Sequence, residues 1–396
     1  MARPTVEVAD VFRRHGKRYR EQHRLPLQQL KLMRAIEACR TAELGGHWEG
    51  CDRCPYHRRA YNSCRNRHCP KCQNLERGRW LKSRKAELLP VEYFHVVFTI
   101  PEQLNALALQ NKAVLYRTLF QASAQTLLTL AADPRHLGAR VGFFSILHTW
   151  GQNLLLHPHV HCVVTGGGLS PDGNSWISCR PGFFLSVRVL SRLFRRLFVQ
   201  TLAKAFQEGQ LCFHGKLEVL GQPRQFQQLL NTLRAMEWVV YAKPPFGGPE
   251  RVLDYLGRYT HSVAIPNNRL LSLDQEHVRF RYKNYRAHHS QRQRTMTLAA
   301  GEFIRRFLLH TIPPGFQRIR HYGLLASRNK RTTLNHCRQL LGVAHSDLLP
   351  TRNDIAGSLP DLVQQLHRCP VCGIGPVQRL GTIPPRAPLI PRIDSS

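Results

Sequence analysis

The chain has 396 residues, 42% of them apolar, enough for two or three domains with cores of their own and too apolar for a disordered tail. Its 57 Lys and Arg against 25 Asp and Glu give a formal net charge of +32, which implies a polyanionic partner, first of all nucleic acid. The basic residues are spread along the whole chain, as for a long nucleic-acid track. No apolar run approaches the ~18 residues of a membrane span. The N-terminus MARPTVEVADVFRRHGKRYREQHRL lacks the apolar segment of a signal peptide, so the chain is expected to stay inside the cell.

Helical, amphipathic patterning covers residues 8–44, in VADVFRRHGKRYREQH and then LQQLKLMRAIEAC. Residues 45–74 are rich in Cys, His, Gly and Asn, and a basic helix is expected in NLERGRWLKSRKAELLP. EYFHVVFTIP (92–101) is aromatic and β-branched and reads as a strand. NALALQNKAVLYRTLFQASAQTLLTLAAD is a long helix or helix pair. RVGFFSILHTW is a second strand, and HPHVHCVVTGG a third that ends in a glycine-rich loop. Short strands and turns fill 173–189, and RVLSRLFRRLFVQTLAKAFQEG is a basic amphipathic helix. EWVVYAKPP (237–245) is a strand that stops at Pro-Pro. GGPERVLDYLGRYTHSVAI is a loop and then a helix, with Pro249 suited to its first turn. NRLLSLDQEHVRFRYKNY reads as a hairpin, the chain beyond it as basic and mostly helical to residue 345, and the remainder as Pro-rich apart from DLVQQLHRCPVCGIG. Strands and helices do not alternate strictly, which favours an α+β layer with an antiparallel or mixed sheet over a doubly wound fold. The composition divides the chain into 1–90, 91–265, 266–345 and 346–396.

In HPHVHC, His157, His159 and His161 alternate, so on a strand they share one face, ~6.6 Å apart from one to the next. Two imidazoles on one face can converge on one ion. Pro158 belongs at a strand's start or edge, which makes His159 and His161 the better pair and puts His157 on the approach.

Twelve cysteines in a reducing compartment suggest metal rather than disulfides. Cys51 and Cys54 form one CxxC knuckle, Cys69 and Cys72 a second, and two knuckles at this spacing predict a closed tetrahedral zinc site that holds the fold. Cys39, His47, His57, Cys64 and His68 crowd the same region as further ligands. With Arg65 and Arg67 between the knuckles, the module reads as a DNA-binding head. Cys369 and Cys372 form another knuckle, with His336 and Cys337 as candidate partners for a second zinc. Cys162, Cys179 and Cys212 are single and read as small buried side chains.

Tyr255 and Tyr259 are four apart on a predicted helix and share a face, an arrangement that is usually core. The company of an alternating-His strand, a very basic chain and a Gly-Gly-Pro loop points instead to nucleophiles for DNA phosphate. An ion held by two His and one further polar group would polarise that phosphate; His ligands suit Mn²⁺ better than Mg²⁺.

His159-Val160-His161 matches the His-hydrophobic-His motif of HUH endonucleases. With Tyr255 and Tyr259 and the Cys-rich head, the chain resembles the two-tyrosine rolling-circle transposases of bacterial insertion sequences. The resemblance runs from CRNRHCPKCQ through EYFHVVFTIP and LHPHVHCVVTGGGL to YAKPPFGGPERVLDYLGRYTH, and on to RIRHYGLLA. It implies a five-stranded antiparallel sheet with the His pair on a central strand and the tyrosines on a nearby helix. It implies metal-assisted nicking of single-stranded DNA at element ends, a 5′-phosphotyrosine and a free 3′-OH, strand transfer to a target, and work at the bacterial nucleoid. The third metal ligand is expected to be Gln152, then His148, with Asp254 and His261 flanking the tyrosines. Lys243 and Arg258 are expected to hold phosphate. A replication initiator or relaxase would use the same chemistry. A zinc-dependent DNA-binding regulator would explain the charge and the knuckles but leave the histidines and tyrosines without a role.

Overall fold

The computed structural model describes residues 6–73, 81, 87–243, 264–284, 292–326, 330–343 and 368–386. Most of the basic segment after residue 73, and the segment with Asp254, Tyr255, Arg258, Tyr259 and His261, lie outside the described residues. In chain order the first elements are α1 (Val8–Gln22), α2 (Leu27–Ala38), β1 (Gly46–Cys51), β2 (His57–Tyr61), β3 (Tyr93–Thr99), α3 (Asn105–Gln110) and α4 (Lys112–Ala132). Next come β4 (Arg140–Trp150), β5 (Leu156–Leu169), β6 (Trp176–Ser178), α5 (Val187–Gln207), α6 (Pro223–Ala235) and β7 (Val240–Lys243). The last are β8 (Leu270–Leu273), β9 (His277–Lys283), β10 (Gln293–Ala299), α7 (Ala300–Leu309), β11 (Ile319–Gly323), α8 (Lys330–Leu340) and β12 (Val377–Ile383). The fold class is α+β with antiparallel sheets. Among the described residues, no helix is long and apolar enough to cross a membrane.

Contacts gather the chain into two compact units that cut across the four linear segments. The head unit takes residues 1–76, 265–305 and 350–396; the sheet unit takes 77–264 and 306–349. The reason is strand pairing. β12, near the C terminus, pairs antiparallel with β1, which pairs with β2. The same unit holds the meander β10-β9-β8 and the helix α1. α1 buries Val8, Val11, Phe12 and Tyr19 and opens with a capping box, Glu7 N–H donating to Asp10 Oδ2 at 2.9 Å. β10 and β11 were expected to be helical. β10 is exposed over its first three residues and alternates only from Met296 on, and β11 is half-buried at four of its five positions, so the two-residue period that marks a strand is short in one and faint in the other.

The sheet unit is built on the antiparallel path β11-β4-β5-β3-β7, with β6 on the end of β5. β5 is the central strand. One face packs Phe94, Val96, Phe98, Phe143, Leu147, Val160, Cys162 and Val164 against α4, α5 and α6. Phe143, Phe194 and Phe198 are fully buried there, each stabilising by about 1.5–3 kcal/mol. The opposite face is covered toward the C-terminal end of β5 by Leu324, Leu325, Leu334 and Cys337 over Phe144, Ile146 and Val163. This two-sided packing fixes the register, and with it the face that His159 and His161 must share. β5 also runs on through Gly166–Gly168, where a loop was expected. A Cβ at Gly168 would lie 2.3 Å from Arg140 O, and one at Gly166 2.6 Å from Glu92 O. Glycine is what lets the neighbouring strands close on this stretch.

Candidate metal centres

The register of the main sheet sets His159 opposite His148 on β4 and Thr99 on β3, and His161 opposite Ile146 and Val97. The β4–β5 ladder shifts between His148 and Trp150, beside Pro158, which has no N–H to give. The ligand nitrogens of His148, His159 and His161 lie within 4.8 Å of one another, and the Nε2 atoms of His159 and His161 are 3.1 Å apart. Two ligands about 2.1 Å from one ion stand ~3.0–3.4 Å apart, for octahedral or tetrahedral geometry. The donor set and spacing therefore fit a divalent cation. Gln152, the preferred third ligand from sequence, lies in the turn after β4. The imidazole that strand pairing brings beside the pair is His148, which stacks on Trp150 with ring centroids 4.7 Å apart.

His157 is exposed and gives its carbonyl rather than its ring: His159 Nδ1–H donates to His157 O at 2.6 Å. That bond leaves the neutral His159 with a bare Nε2. His95 on β3 was not singled out by sequence. Its Nε2 is 2.8 Å from His161 Nδ1, and the two rings stack at 5.1 Å. Only the β3–β5 register places it there, so a lone His in EYFHVVF carried no local signal.

Burial lowers the His159 pKa to about 3 and the His95 pKa to about 4. Burial, then the positive charge His148 would carry, keeps His161 well below its ordinary value. His310, held by Thr149 Oγ1 at 3.2 Å and Leu154 O at 3.0 Å, is lowered by burial to about 3. All are neutral at pH 7, which leaves His159 and His161 each an unprotonated nitrogen for a metal, while His95 and His310 spend theirs on hydrogen bonds. The same shifts predict acid sensitivity. The unfolded chain takes up these protons near pH ~6.5, whereas the folded values lie at about 4 and below. Stability is therefore full above ~6.5 and falls below it, by about 1.4 kcal/mol per pH unit for each such histidine. The melting temperature of the metal-free protein is expected to fall steadily from pH 7 to pH 5; a flat profile over that window would contradict this.

The cysteines form two quartets in the head unit, and the sequence pairing of Cys51 and Cys54 with Cys69 and Cys72 is corrected. Cys39, Cys64, Cys69 and Cys72 stand together, and Cys51, Cys54, Cys369 and Cys372 form the second group. Sulfur–sulfur distances in the first are 3.6 Å, Cys72 to Cys39, Cys72 to Cys64 and Cys39 to Cys69. Four sulfurs about 2.3 Å from a tetrahedral zinc would be ~3.8 Å apart. Neighbouring thiols, Cys39 first, donate to Cys72 and pull its pKa down, so a thiolate is already favoured. Arg65 takes a left-handed φ of 50° here, and its backbone N–H also serves the Cys72 sulfur. His68 stays outside both quartets, its Nδ1 3.3 Å from Asn66 Oδ1. His336 and Cys337 are not the partners of Cys369 and Cys372: His336 Nε2 donates to Gly173 O at 2.8 Å, and Cys337 is buried under the main sheet. Cys162 is buried as expected, but Cys179 is half-buried and Cys212 exposed.

Of the expected DNA contacts, the Arg65 side chain is exposed, Arg67 is half-buried with its pKa lowered by burial, and the Lys243 backbone pairs with His95. Arg258 lies outside the described residues.

A head unit with two thiol quartets and a sheet unit that gathers histidines on one face define a protein of two modules, each with candidate metal sites. Residues 11–100 match the family described as "Transposase zinc-binding domain", and residues 142–332 the family described as "Putative transposase". The chain is 57% identical over 381 residues to "Putative transposase y4qJ" of Sinorhizobium fredii, which covers 95% of each chain. It is 29% identical over 294 residues to "Transposase for insertion sequence element IS801" of Pseudomonas savastanoi pv. phaseolicola, covering 74% of this chain and 68% of that one. No solved structure matches the chain. The chain belongs to the IS91-type family of insertion-sequence transposases, DNA-binding enzymes that cut and transfer strands, and its head is a zinc-binding domain.

Proposed function

We propose that this transposase nicks single-stranded DNA at its element's ends by tyrosine transesterification, in the manner of rolling-circle HUH enzymes, and then transfers the strand. The observation that carries this reading is the convergence of His148, His159 and His161 on one face of the main sheet. These three residues would hold Mn²⁺ or Mg²⁺, the nitrogen ligands favouring Mn²⁺. Such an ion supplies Lewis-acid polarisation of the scissile phosphate. Tyr255 or Tyr259 gives up its hydroxyl proton and its oxygen bonds to phosphorus. The 3′ oxygen leaves and takes a proton as a free 3′-OH. The 5′-phosphotyrosine keeps the energy of the broken bond, so a later 3′-OH can attack it and release the tyrosine without ATP. Two tyrosines allow two such steps in succession. β7, from which the chain leads into the tyrosine segment, belongs to the same sheet as the histidine strand, with β3 between them. Lys243 and Arg258 would hold phosphate, and Arg65 and Arg67 would serve DNA in the head.

The test is covalent capture. Labelled single-stranded DNA carrying the element's end is incubated with wild-type protein and Mn²⁺ or Mg²⁺, then denatured in detergent. Label is expected to migrate with the protein, and to do so only with metal. DNA that binds without any adduct would favour the zinc-dependent regulator.

His95 is a positioning residue in this scheme. For His161 to offer Nε2 to an ion, its proton must sit on Nδ1 and be donated to His95 Nε2. His95→Leu is expected to weaken Mn²⁺ binding by about 10–100-fold, the usual effect of losing such a partner. His95→Gln, which keeps an acceptor, should restore much of it. Equal Mn²⁺ affinity in His95→Leu and wild type, read by titration without DNA, would remove this role.

A further inference from the structure

The second thiol quartet draws its ligands from opposite ends of the chain. Cys51 Sγ is 3.6 Å from Cys372 Sγ, and Cys54 Sγ is 3.5 Å from Cys369 Sγ. These spacings are far longer than a disulfide bond of about 2.05 Å and near the ~3.8 Å expected around a tetrahedral zinc. The residues around the quartet are arranged as for a metal knuckle. In both CxxC turns, the amide two residues on points back at the first sulfur: Arg53 N–H to Cys51 Sγ at 3.4 Å, and Val371 N–H to Cys369 Sγ at 3.4 Å. The backbone amides of Gly375 and Ile374 donate to the Cys372 sulfur. A Cβ on Gly375 would lie 2.7 Å from Cys51 Sγ and 2.5 Å from Asp52 Oδ1, so the two knuckles approach as closely as a glycine permits. The strands behind them are paired: Cys51 is opposite Val377, and β1 and β12 run antiparallel from there to Gly46 and Ile383, with one shift of register between Trp48 and Glu49.

We infer that Cys51, Cys54, Cys369 and Cys372 bind a second structural zinc that clasps the C-terminal knuckle onto the N-terminal head. Cys369 and Cys372 lie outside both family matches, 11–100 and 142–332. The head is then a two-zinc module whose outer ion is completed by cysteines 315 and 321 residues further along the chain. The two ions differ in shielding. Three of the four inner ligands, Cys39, Cys69 and Cys72, are buried, whereas three of the four outer ones, Cys51, Cys54 and Cys372, are half-exposed. The outer ion is the one a chelator removes first. A chain that ends before Cys369 keeps the inner site but has half of the outer one.

The test counts zinc in the full-length protein, in a His159→Ala/His161→Ala background so that the imidazole site does not contribute. Two zinc ions per chain are expected. Cys369→Ser/Cys372→Ser should hold one, and so should Cys51→Ser/Cys54→Ser. One zinc in the parent, or two in the Cys369→Ser/Cys372→Ser protein, overturns the proposal. Thiol alkylation mapped by mass spectrometry on the wild-type chain gives an answer even where the variants fail to fold. With zinc bound, Cys51, Cys54 and Cys372 should react far more slowly than exposed Cys212, and mild chelation should release all three together before Cys39, Cys64, Cys69 and Cys72. Reaction of Cys372 at the rate of Cys212 in the zinc-loaded protein would equally overturn it. Neither readout involves DNA cleavage, so the clasp stands or falls apart from the transposition chemistry.

Discussion

His161→Ala is expected to lower single-turnover nicking by at least ~10³-fold, because a metal's stabilisation of a phosphate transition state is worth several kcal/mol. His161 is the hub of the centre. Its Nε2 meets His159 Nε2 at 3.1 Å, its Nδ1 meets His95 at 2.8 Å, and its ring centroid stands 4.6 Å from that of His148. Removing it takes away one ligand and leaves His159 and His148 without the nitrogen between them. The loss should appear in Mn²⁺ affinity as well as in rate. DNA binding should survive, since the thiol clusters of the head are untouched. His157→Ala is the matched control. Its ring is exposed, and it serves His159 through a backbone carbonyl that alanine keeps. It is expected to nick within a few-fold of wild type. Nicking by His161→Ala within tenfold of wild type, in a protein of normal melting temperature, would sink the metal reading of this centre.

What was legible in the sequence depended on range. The His159 and His161 pair is local: two residues apart on a strand, they share a face whatever the strand pairs with, and β5 bears that out. His148 and His95 are non-local. They reach the pair through the β4–β5 and β3–β5 registers, which no stretch of a single sequence encodes. Gln152, by contrast, is close in sequence and lies in the turn after β4. The cysteines repeat the lesson. Each CxxC was visible, but proximity joined Cys51 and Cys54 to Cys69 and Cys72, whereas the structure gives each pair other partners. The β1–β12 pairing brings Cys369 and Cys372 across the whole chain. Strands with strong apolar or aromatic content, β3, β4 and β5, stood out. The mostly exposed β10 and the short β11 did not, because half-polar strands blur the two-residue period.

Tyr255→Phe/Tyr259→Phe is expected to bind single-stranded ends as wild type does and to form no covalent adduct, a loss of about 10⁴-fold or more in strand cleavage. Phenylalanine keeps the ring and removes only the hydroxyl. If the pair were ordinary helical core, the change would touch stability slightly and cleavage not at all. If they are nucleophiles, the hydroxyl is the whole of their chemistry. The single variants separate the steps. Each should still form an adduct at one stage while failing to complete strand transfer, and the variant that loses the first adduct names the tyrosine that opens the reaction. An adduct that persists in the double variant would move the nucleophile elsewhere. The next candidate is then Tyr241 on β7. It is 44% exposed and stands opposite Val97, which is itself opposite His161, so its side chain shares the histidine face of the sheet. Adjacent strands are about 4.8 Å apart, so Tyr241 starts two strands, or ~9.6 Å, from His161. A phosphate between the two side chains could bridge that span, and the double variant decides between Tyr241 and the pair Tyr255 and Tyr259.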